Sequence, residues 1–149
     1  KKALSRGTLA ANPLSCAAGY HTLCEMERTG ACAKANAMGD LLTDGLCDLI
    51  EKYKLPFAAY NVGSICHFDT LGTMHFAIDW SKPWQVPAIL KQTSARKKEM
   101  EHMGAAYMAE GLVTLAGNRL YTNATYTPAD IDEVLTRFDR VLAQVAVKI

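Results

Sequence analysis

The most chemically pointed stretch of the sequence lies near its amino end, where Gly7-Thr8 stands shortly before Asn12-Pro13. A phosphate needs convergent hydrogen-bond donors at close range. Glycine lets the backbone approach, and a threonine hydroxyl and its N–H can both point at one oxygen. Gly7-Thr8 therefore reads as a candidate phosphate cradle, with shaping of the turn before a helix as the plainer alternative. His67 and His75, with Asp69 or Asp79, are the residues to weigh for a metal ion. Their spacing matches no zinc pattern, and His67 and Asp69 share a strand face by ordinary alternation, so a metal site is not expected. His21 and His102 are single helical histidines suited to packing or surface roles. Asp130, Asp132 and Glu133 crowd the start of the last helix, where negative charge complements the dipole without implying catalysis. Arg96-Lys97-Lys98 is followed by Glu99 and Glu101, which describes a solvated helix face better than a nucleic-acid patch.

These residues need elements to hold them. Asn12-Pro13 is a helix start, because Asn caps well and Pro at the first position gives up an N–H that would have been unpaired. This helix is expected to reach about Arg28 and stop at Thr29-Gly30. Its small residues, Ser15, Cys16, Ala17, Ala18 and Gly19, would let another backbone come close. A second helix is expected from about Ala31 to Tyr53, with Met38, Leu41, Leu42, Leu46, Leu49, Ile50 and Tyr53 as one apolar stripe. Lys52 and Lys54 suit its carboxy end, and Leu55-Pro56 ends it.

The period then changes. Phe57 to Val62, Ser64 to Asp69 and Met74 to Trp80 read as short antiparallel strands separated by Gly63 and Gly72. Ser81 to Pro87 reads as a loop, and a polar helix is expected over about Thr93 to Glu110, capped by Gly111. Leu112 to Leu115 and Arg119 to Thr125 suggest another strand pair. Thr127-Pro128-Ala129-Asp130 is a capping signature for a last helix whose stripe is Ile131, Val134, Leu135, Phe138, Val141, Leu142 and Val145. The expected fold is one α+β domain: a small, mainly antiparallel sheet covered by helices, with a helical amino-terminal arm.

The 149 residues suffice for a real core, and half of them are hydrophobic. With 21% charged residues and a net charge of +1, the chain has neither the makeup of a disordered segment nor a broad basic surface for nucleic acid. Its apolar runs are too short for a membrane span. Five cysteines at irregular spacing, with no C-x-x-C, argue against a disulfide framework and for a reduced, cytoplasmic setting. Cys16, Cys24 and Cys32 are expected to be buried small hydrophobes. Lys1-Lys2-Ala3-Leu4-Ser5-Arg6 has no apolar core after its basic residues and is no secretory signal. A motif arrives almost at once, which suggests that something belongs upstream.

Gly7-Thr8-Leu9-Ala10-Ala11-Asn12-Pro13-Leu14 and the Ala-rich helix after it resemble a signature of the class III aminotransferases, which are fold-type I pyridoxal-phosphate enzymes. The resemblance continues in order through Val62-Gly63-Ser64, Gly104-Ala105-Ala106-Tyr107-Met108-Ala109-Glu110-Gly111-Leu112 and Thr127-Pro128-Ala129-Asp130-Ile131-Asp132. It is strongest to the glutamate-1-semialdehyde aminomutase branch. It implies that residues 1–30 form an interface loop and linking helix, and that 31–149 form the carboxy-terminal small domain. It also implies a homodimer in which Gly7 and Thr8 reach the pyridoxal 5'-phosphate of the neighbouring subunit. Related transaminases place an Arg in the strand before the last helix to meet a substrate carboxylate, and Arg119 stands at about that position. The Pro-Pro that usually follows such an Arg is Thr122-Asn123 here, and the aminomutase branch takes its carboxylate contact elsewhere. A strand-end surface charge is therefore the alternative for Arg119.

The resemblance also places the Schiff-base lysine, the acid on the pyridine nitrogen and the ring-stacking residue upstream, on a large cofactor-binding domain. Lys34, Lys52, Lys54, Lys97, Lys98 and Lys148 sit in polar helical surroundings and read as solvated charges; Lys82 and Lys91 lie in or near a loop. Lys1 and Lys2 are too close to Thr8 for the family's spacing. The expected function is thus the carboxy-terminal part of an aminotransferase or aminomutase acting on an amino acid or amino aldehyde. Such a part completes the active site and dimer interface and is not active alone. The other class is a stand-alone α+β binding or interaction module without catalysis.

Overall fold

The computed structural model describes residues 12–70, 86–115 and 118–146; for 86–96 and 99 it describes the backbone only. Among these residues the order is α1 (Pro13–Thr29), α2 (Ala31–Tyr53), β1 (Ala58–Val62), β2 (Ile65–Asp69), α3 (Val86–Ala109), β3 (Arg119–Tyr121) and α4 (Pro128–Ala146). The three strands form one antiparallel sheet in the order β1-β2-β3, so the fold is α+β as the sequence pattern requires.

The helix ends follow local chemistry. Asn12 accepts the Leu14 N–H at 2.8 Å, and Pro13 occupies the first helical position of α1. Gly30 adopts the left-handed conformation at φ 62°, which glycine takes without a Cβ penalty, and so ends α1. At the end of α2 the same role falls to Lys54 at φ 52°. Its N–H reaches the Glu51 carbonyl and the Leu55 N–H reaches that of Ile50, while Leu55 folds into the core. Thr127 and Asp130 form the expected reciprocal cap of α4: the Thr127 N–H donates to the Asp130 carboxylate at 2.7 Å, and the Asp130 N–H donates to the Thr127 hydroxyl at 3.4 Å. The Thr127 N–H, and then the Thr127 hydroxyl donating to the same carboxylate at 2.7 Å, hold the Asp130 carboxyl below its usual range.

The core lies between one face of the sheet and the helices. Cys66 and Phe68 point inward from β2 and Leu120 from β3, to meet Leu42 and Leu46 of α2, Met103 and Tyr107 of α3, and Ile131, Phe138, Val141 and Leu142 of α4. Phe138 is the hub of the aromatic packing, with its ring 5.0 Å from Tyr107 and 5.6 Å from Phe68. Each such fully buried side chain contributes about 1.5–3 kcal/mol relative to exposure. The α4 stripe is buried or half-buried throughout. In α2, Leu41 departs from the expected stripe and is 44% exposed. Gly39 and Thr43 take inward positions there instead, and at Gly39 the backbone of the β1–β2 turn comes too close for any side chain.

Other expectations require correction. Cys16, Cys24 and Cys32 are exposed: the first two lie on α1, which has no buried residue among the described residues, and Cys32 stands in the first turn of α2 on its exposed side. α3 begins at Val86 rather than near Thr93, so Val86-Pro87 belongs to helix instead of loop. Proline is tolerated there because the first N–H groups of a helix have no intrahelical partner. The strand expected over Leu112–Leu115 is reduced to a single bridge between Leu115 and Arg119. Gly111, at φ 77°, turns the chain, and the Leu112 N–H is committed to the Tyr107 carbonyl at the end of α3. β3 stops at Tyr121 because the Asn123 side chain accepts from the Thr125 N–H and hydroxyl, which bends the chain away from the sheet. The strand expected over Met74–Trp80 lies outside the described residues.

Candidate functional site

Gly7 and Thr8, the expected phosphate cradle, lie outside the described residues. The helix that follows them does not. α1 exposes Leu14 at 77%, and Tyr20 and Leu23 at 66% each, along a helix without a buried side chain. Exposed apolar surface of this kind on a well-capped helix is characteristic of an element built to pack on something else.

Arg119 is placed on the sheet. It opens β3 as the cross-strand partner of His67, and its backbone N–H and C=O close a two-bond bridge with Leu115. Its side chain is exposed, and among the described residues no ion pair or side-chain hydrogen bond engages the guanidinium. His67 is in turn the partner of Tyr60 on β1, and the two rings stack 4.8 Å apart at 5°. Tyr60, His67 and Arg119 therefore form one row across the outer face of the sheet, beside a second row of Val62, Ile65 and Tyr121.

No group of three or more potential metal ligands occurs among the described residues, and His75 and Asp79 lie outside them. His67 is occupied by its stacking partner, and Asp69 is buried, accepting from the Asn118 side chain at 3.1 Å. His21 makes an edge contact with Tyr20, and His102 is exposed.

A polar seam, which sequence reasoning missed, joins the β1–β2 turn to α2 and β3. Gly63, in the left-handed conformation, sits against the Asn36 side chain, and its carbonyl accepts from Asn61 at 2.9 Å. Asn61 also donates to Asp40 at 2.8 Å. Thr122 is buried; its N–H donates to the Ser64 carbonyl at 3.0 Å and its hydroxyl to the Ala35 carbonyl at 2.7 Å. The available signal was the substitution of Thr122-Asn123 for a Pro-Pro pair. Proline has no N–H, so it could not make the bond to Ser64. Next to the seam, a cleft of about 300 Å³ opens between Met26, Cys32, Asn36, Ser64 and Asn123.

The described residues do not make a pyridoxal-phosphate site among themselves. A Schiff-base lysine needs burial or cationic neighbours that lower its pKa. The described lysine side chains, Lys34, Lys52, Lys54, Lys97 and Lys98, are all exposed. Lys52 is shifted in the opposite sense: hydrogen bonds to Asp139, at 2.7 Å, and to Tyr53 hold its ammonium above the usual lysine range. Lys52 is thus an interhelical partner rather than the free solvated charge expected. Lys97 lies 3.9 Å from Glu101 on the same helix, as a solvated face predicts. No helix among the described residues is long and apolar enough to cross a membrane.

Comparison with characterised proteins sets this geometry in context. The chain is 29% identical over 135 residues to glutamate-1-semialdehyde 2,1-aminomutase 2 of Brevibacillus brevis, covering 87% of this chain and 28% of that enzyme. It is 26% identical over 140 residues to glutamate-1-semialdehyde 2,1-aminomutase of Nitrosomonas europaea, covering 93% and 30%. A shorter stretch of 59 residues is 41% identical to the Archaeoglobus fulgidus enzyme of the same name, covering 40% and 13%. Over most of its length the chain is thus similar to part of the glutamate-1-semialdehyde aminomutases. It spans about 30% of the length of the first two of these aminomutases. No family model matches the chain. The aminomutase similarity is compatible with the α+β fold and with an α1 that has no buried residue among the described residues.

Proposed function

We propose that the chain is the carboxy-terminal, small-domain part of a pyridoxal-phosphate-dependent aminomutase or aminotransferase. In this reading residues 1–30 are the interface loop and linking helix, and residues 31–149 are the small domain. The observation that carries the proposal is the similarity to aminomutases over about nine-tenths of this chain and under a third of theirs. The exposed apolar residues of α1, Leu14, Tyr20 and Leu23, support it, since exposed apolar surface on a helix favours a packing partner.

The proposed reaction exchanges an amino group between cofactor and an amino acid or amino aldehyde, with the cofactor held mainly by the large domain. This chain's own residues complete the site. Gly7 and Thr8 donate to the cofactor phosphate of a neighbouring subunit in a homodimer, and Arg119 meets a substrate carboxylate from the open face of the sheet. The setting is cytoplasmic, as the five free cysteines favour. The test is to mix the full chain with pyridoxal phosphate, reduce with borohydride and map any adduct by mass. The expected result is no stoichiometric adduct at a single lysine. A specific one would show that the chain holds its own cofactor site and would overturn the reading.

A further inference from the structure

We infer that the groove between the first turns of α4 and the chain around Gly111 and Tyr126 is a binding site for an aliphatic primary amine. The carbon chain of such a ligand lies on the core, and its ammonium meets Glu133. No residue of the groove is one assigned above to cofactor or substrate, so the inference goes beyond the small-domain reading and does not rest on it.

The groove consists of two adjoining hollows of about 260 Å³ each, which share Leu112, Tyr126 and Val134. The inner hollow reaches down to Leu42, Leu120 and Ile131, core side chains no more than 7% exposed. Gly111 keeps the entrance clear. At φ 77° it turns the chain out of α3, and the Arg137 guanidinium passes where a Cβ would stand. A concave floor of this kind takes an alkyl chain out of water, and a few polar groups at its edge then select the head group.

The edge favours a cation. Tyr121 and Tyr126 line the inner hollow while remaining partly exposed, and the face of a tyrosine ring attracts positive charge. The outer hollow is flanked by Asp130, Glu133 and Arg137. Arg137 is engaged, its Nη1 donating to the Glu110 carbonyl and its Nη2 to one Glu133 oxygen. Asp130 accepts both Thr127 donors at the helix cap and so answers the positive end of the α4 dipole. The second Glu133 oxygen has no hydrogen bond among the described residues. Two carboxylates against one guanidinium leave the entrance acidic, which disfavours an anionic head group. A primary ammonium supplies a compact charge with three donors, one of them for the open Glu133 oxygen.

The probe is n-hexylammonium chloride, titrated into the isotope-labelled full chain and followed by NMR at the Leu112 and Val134 methyls and the Tyr126 ring. n-Hexanol and hexanoate are the matched neutral and anionic chains, and ammonium chloride controls for ionic strength. The expected result is a saturable shift at all three residues with hexylammonium. Hexanol should bind about fivefold more weakly, as expected for loss of one partly exposed ion pair, and hexanoate more weakly still. Glu133→Gln should weaken hexylammonium by about the same fivefold and leave hexanol unchanged. Tyr126→Ala should weaken both. Backbone spectra report that each variant remains folded. Absence of saturation with hexylammonium, equal affinity for hexanol, or a shift that ammonium chloride reproduces overturns the site. So does an unchanged hexylammonium affinity in either variant. The readout needs neither cofactor nor a longer parent chain, so its failure leaves the small-domain reading standing.

Discussion

Thr122 directs two donors at the chain before it: its N–H bonds the Ser64 carbonyl at 3.0 Å, and its hydroxyl reaches the same oxygen at 3.3 Å while bonding Ala35 of α2 at 2.7 Å. One residue thus ties the end of β3 to both the β1–β2 turn and α2. Thr122→Pro removes the N–H and the hydroxyl together and leaves a buried carbonyl short of partners. The expected loss is about 2–4 kcal/mol, read by denaturant unfolding. Thr122→Val keeps the N–H and should lose about 1 kcal/mol. Equal stability of the proline variant and the wild type would contradict this account of the seam.

The Asp139 carboxylate accepts from Lys52 at 2.7 Å and from the Tyr53 hydroxyl at 2.9 Å, joining α4 to the end of α2. The Lys52 bond, chiefly, holds the Asp139 carboxyl below its usual range. A group with a depressed folded pKa contributes stability above its unfolded value, near 4, and loses it as pH falls through the folded value. Lys52 is shifted upward, so its contribution is present below about 10.4 and fades as pH rises through the higher folded value. Melting temperature should therefore be flat with respect to this pair between those limits. Asp139→Asn should lower the plateau and bring the variant and wild-type curves together at low pH. Because the pair is largely exposed, 1 M salt should shrink the difference.

Gly39 has no room for a side chain: a Cβ there would overlap the carbonyl oxygen of Gly63. Gly39→Ala should destabilise by about 1–3 kcal/mol, although alanine is the better helix former by about 1 kcal/mol. Gly19 on α1 faces open space, so Gly19→Ala in the isolated chain should be neutral or gain up to about 1 kcal/mol. The opposite signs of the two variants, compared by thermal unfolding, separate close approach from helix propensity.

Lys54 holds a left-handed conformation that costs a residue with a Cβ about 1 kcal/mol, and its N–H makes the helix-ending bond through the backbone alone. Lys54→Gly should therefore stabilise the chain by about that amount in denaturant unfolding. A loss of stability would mean that the Lys54 side chain contributes more than its position at the helix end suggests.

The helices and hairpin were legible because their signals are local. Asn12-Pro13, Thr29-Gly30 and Thr127-Pro128-Ala129-Asp130 fix ends through bonds only a few residues long, and a stripe such as Ile131, Phe138 and Leu142 needs only one core to face. What sequence reading lost depends on distant partners. The anchoring of the chain just after β3 depends on Thr122 reaching residues 64 and 35, and the pairing of Lys52 depends on a carboxylate on α4. The exposure of Cys16 and Cys24 follows from what α1 does not touch among the described residues, which helical periodicity does not encode. Of the candidate site, Arg119 could be assigned to a strand before the last helix. Its alignment with His67 and Tyr60 required the register of three strands.

The most direct test of the central proposal is the intact mass of the native protein, detected in cell extract with an antibody against this chain. The account predicts a parent roughly three times longer than the chain, in line with its 28–30% coverage of the aminomutases and with a large domain joined to a small one. A native species of the chain's own 16.3 kDa, with no longer parent, would contradict it and favour a stand-alone module.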